Sequence, residues 1–431
     1  MNIIIKSLLA AGFFHYCFIA CAADFEHGAL AGDRYRTIVS TDIGGSDPDD
    51  FQSMIHFLAY SDLFDIEGIL ASPWGEGRKE HILQVIDRYE QDYPKLKAHS
   101  DRFPTPDYLR SISKQGAIDI APSRGYRTPT EGSQWIAACA KKDDPRPLYI
   151  LTWGLLEDVA QALHDAPEIL PKLRVIFIGG PNKKWGVNAF DYVERNFPDL
   201  WIVENNSTYR GFFNGGDQSG DLGNLSFYQN HIKGHGALGN YFGHFRDGEI
   251  KMGDTPAVTY LFYGTPENPT LDSWGGRFRP VRYRPKFVFD RHTTISDQVE
   301  TFSVVEFNLK GPDGGPVTDK VQFKVKINDQ RFDGYYVGDG IYRFRLCPKS
   351  MGIESYEIEN PHPWLNGKTG QLTVVSEGTL GRRPYEQEHR FWWTDLLDPS
   401  LKEGVHCGAK TMNQWRKDIL RHWQRRLKWI Q

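Results

Sequence analysis

Arg36-Thr37-Ile38-Val39-Ser40-Thr41 runs directly into Asp42-Ile43-Gly44-Gly45-Ser46-Asp47-Pro48-Asp49-Asp50, after which Phe51, Met54, Ile55 and Leu58 recur at helical spacing. This reads as a strand, a Gly-rich turn and a helix, with four carboxylates packed into nine positions. So much negative charge in so little backbone is costly unless water or a cation neutralises it. Glycines let the turn close tightly enough for the acids to converge. Oxygen-only donors of this kind suit a hard cation such as Ca2+ or Mg2+. Ordinary turn chemistry and helix capping account for one such acid, not for four. An Asp-nucleophile phosphatase would carry its second acid where Gly44 stands, and an EF-hand loop needs an upstream helix and alternating acids.

Outward from this turn, residues 35–263 alternate short apolar runs with amphipathic helical patterns. The runs are Thr37-Thr41, Ile66-Ala71, Pro147-Thr152, Val175-Ile178 and Leu200-Val203. Continuous apolar strands bracketed by helices predict an α/β fold built on a mainly parallel sheet. Ligands gather outside the carboxyl ends of such strands. Those ends carry Asp42, Pro73-Trp74-Gly75, Trp153-Gly154, Gly179-Gly180 and Glu204-Asn205-Asn206.

After Pro285 the pattern changes to a period of two: Val321, Phe323, Val325 and Ile327, then Tyr342, Phe344 and Leu346, with Arg343 and Arg345 on a wet face. A small antiparallel, immunoglobulin-like β-sandwich is predicted over residues 286–378. The segment 379–431 ends in an amphipathic helix whose stripe of Met412, Trp415, Ile419, Trp423 and Leu427 docks on the body, leaving Arg416, Lys417, Arg421, Arg425 and Lys428 in solvent. At the other end, residues 1–23 read as a secretory signal peptide, with Lys6, an apolar run and Ala20-Cys21-Ala22; a lipoprotein cleavage before Cys21 is the rival reading. The α/β domain is thus expected over 24–285, in a secreted or periplasmic protein.

Lys+Arg 51 against Asp+Glu 55 gives a net charge of −4, so no global polycation attracts a nucleic acid polymer. No later stretch approaches the ~20 apolar residues that a bilayer span needs. Trp 12 and Tyr 20 supply rings that stack on sugars or fill cores. Outside the leader, Cys139, Cys347 and Cys407 lie in no metal-binding spacing; one disulfide, Cys347 with Cys407, is permitted but not demanded.

Four segments, in order, resemble the nucleoside hydrolase family: the Asp-rich opening turn, Leu151-Thr152-Trp153-Gly154-Leu155-Leu156-Glu157-Asp158-Val159-Ala160, Ile178-Gly179-Gly180, and Gly253-Asp254-Thr255-Pro256-Ala257. The run Trp201-Ile202-Val203-Glu204-Asn205-Asn206-Ser207-Thr208-Tyr209-Arg210-Gly211 is similar to the secreted cellulose-binding, nucleoside-hydrolase-like branch, which also carries a C-terminal β-sandwich. The resemblance implies a pocket Ca2+ held by Asp42, Asp50 and Asp254 with a backbone carbonyl of Thr152 or Trp153. It also implies Asp42 as general base on a metal-held water, and Asp49, Asn182 and Asn188 on the sugar, with Glu204 and Asn205 as further substrate contacts.

The chain departs from that pattern at Ser40, in a longer turn around Ser46-Asp47, and at Ser72-Pro73-Trp74. Gly253 stands where many members have a histidine that assists the leaving group. His235, in Gly234-His235-Gly236, is the candidate substitute, although a surface or turn histidine is the plainer account of it. These departures bear on nucleoside specificity more than on the metal pocket. The expected function is Ca2+-dependent hydrolysis of a furanosyl N-glycoside or other glycosyl bond. The alternative is a binder of plant cell-wall carbohydrate with a degenerate pocket. The expected partner is accordingly a small-molecule glycoside or a cell-wall carbohydrate, and a homo-oligomer stays open.

Overall fold

The computed structural model describes residues 27–73, 75–381 and 387–431. The predicted leader, with Cys21, and Trp74 lie outside the described residues. Seven strands belong to the first sheet in chain order: β1 (Arg36–Thr41), β2 (Asp65–Ala71), β3 (Ser113–Gln115), β4 (Leu148–Thr152), β5 (Leu173–Ile178), β6 (Trp201–Asn205) and β7 (Phe278–Pro280). An eighth, Trp392–Asp395, enters from the far C-terminal segment between β6 and β7. The spatial order is β3-β2-β1-β4-β5-β6, then Trp392–Asp395, then β7, and only the last pairing is antiparallel. Helices α1 (Asp49–Ala59) and α2 (Lys79–His99) lead from β1 toward β2 and from β2 toward β3. The mainly parallel, helix-flanked sheet that the apolar runs predict is therefore present.

One consequence of the strand order positions the site. From β1 the chain builds outward through β2 and β3, then returns to place β4 on the opposite side of β1. The reversal leaves a crevice at the carboxyl ends of β1 and β4, where open α/β sheets bind ligands. Asp42 follows β1 and Trp153-Gly154 follow β4, so both open on that crevice.

The second sheet has eight strands and is antiparallel except at its two edges, where Gln298–Glu300 pairs with Thr369–Val375 and Lys286–Phe289 with Val304–Lys310 in parallel. It curls until nearly closed around Phe307, Phe323, Val325, Phe344, Ile358 and Leu372. The period of two holds within Phe323–Ile327, whose apolar residues are buried between more exposed lysines. It fails at Arg345, which was expected on a wet face. That face packs on the first domain, and Arg345 is buried between Asp191 (3.2 Å) and Glu306 (2.7 Å). Lys286 joins the same carboxylates at 2.7 and 3.2 Å, so four buried charges neutralise one another across the junction.

The C-terminal helix Arg416–Leu427 docks its apolar stripe as expected, with Ile419, Trp423 and Leu427 buried. Arg416 corrects the periodic reading. It is fully buried, and its guanidinium donates to the carbonyls of Phe212 (2.8 Å), Asp217 (2.9 Å) and Leu222 (2.6 Å), tying the loop to the helix. Cys139, Cys347 and Cys407 are free thiols, so the permitted disulfide is not formed. No helix among the described residues is long and apolar enough to cross a membrane.

His56 on α1 lies among Tyr60 (4.9 Å), Trp423 (5.1 Å) and Phe262 (5.8 Å), with neither ring nitrogen partnered. Burial pushes its pKa down from 6.5 to about 3. Between those values the unfolded chain binds a proton that the folded chain refuses, so stability is lost as pH falls below 6.5. His56→Phe should therefore gain about 1–2 kcal/mol relative to wild type between pH 6.5 and pH 5, read from urea unfolding at each pH. Parallel pH profiles for the two chains would contradict this.

Candidate active site

The turn after β1 is folded by its own backbone and by Thr41. The Gly45 N–H donates to the Asp42 carbonyl (3.0 Å), and the Thr41 hydroxyl accepts from the Ile43 N–H (3.2 Å) while donating to Asp50. Gly44 has φ 86°, and a Cβ there would stand 2.0 Å from His81 Nδ1, so a side chain is excluded by both conformation and space. Asp49 and Asp50 form the first turn of α1, where the helix dipole favours negative charge.

Asp254 reaches the same place from some 200 residues away because Gln52 clamps its approach. The Gln52 side chain accepts from the N–H groups of Lys251 (2.9 Å) and Met252 (3.2 Å) and donates to the carbonyls of Phe245 (3.2 Å) and Glu249 (2.9 Å). Ser53 Oγ then accepts from the Asp254 N–H at 3.3 Å, and Asp49 Oδ2 from the Gly253 N–H at 3.2 Å. A Cβ on Gly253 would lie 2.3 Å from Asp49 Oδ2. Gly253 thus has a steric reason: a side chain there would have to displace the Asp49 carboxylate. The β4 side is equally tight, since a Cβ on Gly154 would meet Ser72 Oγ at 2.2 Å and Asp42 Cβ at 2.9 Å.

Asp49, Asp50 and Asp254 are buried and bring one oxygen each within 4.8 Å of one another. Asp42, half-buried, borders them and hydrogen-bonds Asp50. Burial, reinforced by the neighbouring carboxylates, pushes Asp42 up to about 7 and Asp49 to about 6, and raises Asp50 and Asp254 well above the carboxylate range. Burial works against the Lys251 ammonium, but Asp49 (3.2 Å) and Asp47 more than offset it and raise its pKa. One lysine leaves most of this charge uncompensated, and Asp254 Oδ2 is buried with no partner. Three converging carboxylate oxygens, with one Asp254 oxygen left unpartnered, suit a divalent cation bound by oxygen.

The structure brings the expected ligands Asp50 and Asp254 together, but their third partner is Asp49, expected on the sugar, while Asp42, an expected ligand, lies beside the group. The Trp153 carbonyl, a predicted ligand, accepts from Asn182 Nδ2 at 2.5 Å, so Asn182 props the β4 end. The remaining predictions fall elsewhere. Glu204 is fully buried, paired to Lys183 (3.1 Å) and Arg284 (2.7 Å), and presents no surface to a ligand. Asn205 Oδ1 accepts from the Tyr209 N–H (2.7 Å), capping the turn after β6. Asn188 binds the Ala121 carbonyl (3.1 Å) and Arg345 (2.9 Å) at the domain junction. His235 precedes the helix Gly236–Phe242, whose first N–H groups are held by Asp92 in the second half of α2. The far end of that helix, about 10 Å along its axis, approaches α1 through Tyr241, whose ring meets Phe51 edge-on at 6.3 Å.

Sequence reading missed His81, Lys251 and Tyr209. His81 lies on α2 against Gly44, and its Nδ1 accepts from the Arg78 N–H at 3.2 Å. Tyr209, with its ring edge 3.7 Å from the Gly253 Cβ position, is raised to about 12 by burial. Lys251 precedes Asp254 by three residues in a loop without periodicity, so only its proximity to Asp254 could have marked it.

Residues 36–278 match the family described as cellulose-binding Sde182, nucleoside hydrolase-like domain. The chain belongs to that family. Residues 298–360 match a domain of unknown function, DUF5060. No curated protein matches the chain. Among solved structures it is similar to a nucleoside hydrolase-related protein of Saccharophagus degradans associated with carbohydrate metabolism, at 20% identity and TM-score 0.49, covering 80% of this chain and 100% of that one. The inosine-uridine preferring nucleoside hydrolase of Bacillus anthracis matches at 13% identity and TM-score 0.35, covering 58% of this chain and 85% of that one. At these identities the likeness says nothing of substrate.

Replacing Asp254 separates the charge cost of this pocket from its use. Without divalent ions, at mildly alkaline pH, Asp254→Asn should melt above wild type, because one buried like charge is gone. With saturating Ca2+ the order should reverse, wild type gaining about 2.7 kcal/mol at a hundredfold excess over Kd. Calorimetric melting of both chains with and without Ca2+ decides it; an equal Ca2+ response in the two would show that Asp254 is no ligand.

Proposed function

We propose that this chain is a Ca2+-dependent glycosyl-bond hydrolase with a water nucleophile and no covalent enzyme intermediate. The observation that carries the reading is the convergence of Asp49, Asp50 and Asp254 beside Asp42, with Asp254 Oδ2 unpartnered. Asp50, Asp254 and Asp49 would hold the ion. Bound Ca2+ supplies a fixed positive charge that orients a water and lowers its pKa. Asp42, at the open edge of the group, takes the proton of the attacking water. As the glycosidic bond breaks, the sugar develops oxocarbenium character, which the surrounding carboxylates stabilise in a site that excludes bulk water. Lys251, on Asp47 and Asp49, fixes the turn and limits its net charge.

The substrate in this proposal is a furanosyl N-glycoside or other glycoside, and the family description directs attention to plant cell-wall carbohydrate. The composition of residues 1–23 supports secretion. A second reading, carbohydrate binding without turnover, is favoured by Gly253 in place of the leaving-group histidine and by the ammonium occupying Asp49.

Asp42→Asn should lower sugar release from a panel of nucleosides and aryl glycosides by at least about a hundredfold while Ca2+ still raises the melting temperature. Reducing-sugar assay and calorimetry read the two effects. A wild-type chain that retains polysaccharide yet releases nothing from any glycoside would establish the second reading.

A further inference from the structure

A cleft of about 410 Å³ lies where the α/β domain, the β domain and the C-terminal segment meet. Arg210 enters it from the turn after β6, and Lys349 from the loop between the strands Ile341–Leu346 and Gly352–Glu359. Lys402 and His406 come from the segment that follows Trp392–Asp395. Arg210, Lys349 and Lys402 have no carboxylate partner among the described residues. Elsewhere along the junction the buried cations are matched, Lys286 and Arg345 by Asp191 and Glu306, Lys183 and Arg284 by Glu204. Here like charges crowd together instead. Partial burial, then the charges of Arg210, Lys184 and Lys251, pull the Lys349 ammonium below its usual range. Burial and Arg210 do the same to the His406 imidazole, with Glu403 alone opposing them. Buried Asn206 also lines the cleft, its Oδ1 unpartnered, and Met351 and Val405 stand exposed at the rim.

Tyr209 sets this cleft beside the carboxylate group. Its hydroxyl is 2.9 Å from the Cβ position of Gly180, which lines the cleft, and its ring edge is 3.7 Å from that of Gly253. The Arg210 guanidinium stands 5.1 Å from the centre of the same ring. One aromatic ring therefore separates the cations from Asp49, whose Oδ2 lies 2.3 Å from the Gly253 Cβ position. A cleft lined by one sign of charge concentrates ligands of the other sign, and an uncharged glycoside gains nothing from it. A phosphate monoester carries about two negative charges at neutral pH and offers three acceptor oxygens, a closer match to three cations than a single carboxylate. We infer that the substrate bears a phosphate monoester, seated on Arg210, Lys349 and Lys402 while its glycosidic bond lies over the carboxylate group. The free Asn206 oxygen accepts from a hydroxyl of the same molecule, and Met351 and Val405 offer its uncharged part an apolar surface. Anion binding needs no turnover; only the identification of its bearer as the substrate rests on the glycosyl-hydrolase reading.

Titration calorimetry of the full chain with inorganic phosphate, at low salt and without Ca2+, reads the anion site alone. Lys349→Gln and, separately, Lys402→Gln should each weaken phosphate binding by at least about fivefold. Neither side chain has a charged partner in the fold, so both variants should melt with the parent, which guards against misfolding. No phosphate binding in the parent, or equal affinity in both variants, overturns the cleft assignment. Acetate bound as tightly as phosphate overturns the choice of phosphate over carboxylate. With Ca2+ present, an Asp42→Asn chain should bind uridine 5′-monophosphate at least about tenfold more tightly than uridine, and adding Lys349→Gln should remove most of that difference. A nucleotide bound no more tightly than the nucleoside overturns the assignment of the phosphate to the substrate. Phosphate binding weakened as stated, with no turnover of any glycoside, phosphorylated or not, would instead overturn the hydrolase reading and leave the anion site standing.

Discussion

Four carboxylates held together out of water repel one another, and the local architecture exists to hold them there. Thr41 and the dipole of α1 stabilise Asp50 and Asp49, Gln52 ties down the strand of loop that delivers Asp254, and Lys251 offsets part of the charge. None of these suffices alone, because burial raises every member of the group. Such an arrangement is unfavourable when ionised and empty, and a proton or a ligand of compact positive charge relieves it.

The framework and the acid group were legible because both rest on local pattern. Apolar runs of strand length bracketed by helical periods mark a doubly covered sheet, and acids at a strand's carboxyl end point into its crevice. Glu204 and Asn188 misled for a related reason. A polar residue at a strand or helix end reads the same whether it meets a ligand or a buried arginine. For Glu204 the partner is Arg284, 80 residues on, and for Asn188 it is Arg345, 157 residues on. Period-two patterning likewise assigned Arg345 to solvent, since alternation distinguishes two faces of a strand but not water from a neighbouring domain.

Gly253 shows how one close approach can fix a site. Its N–H bonds Asp49 Oδ2, and a side chain at this position would have to displace that carboxylate. His81 against Gly44 and Tyr209 near Gly253 are the polar side chains around that approach.

The strand Trp392–Asp395 has a consequence for how the molecule is made. It lies between β6 and β7, so the first sheet stays incomplete while the ribosome is still adding the whole second domain. During that interval β6 presents unsatisfied peptide groups to its surroundings. Vectorial synthesis therefore cannot finish the α/β body before the β domain.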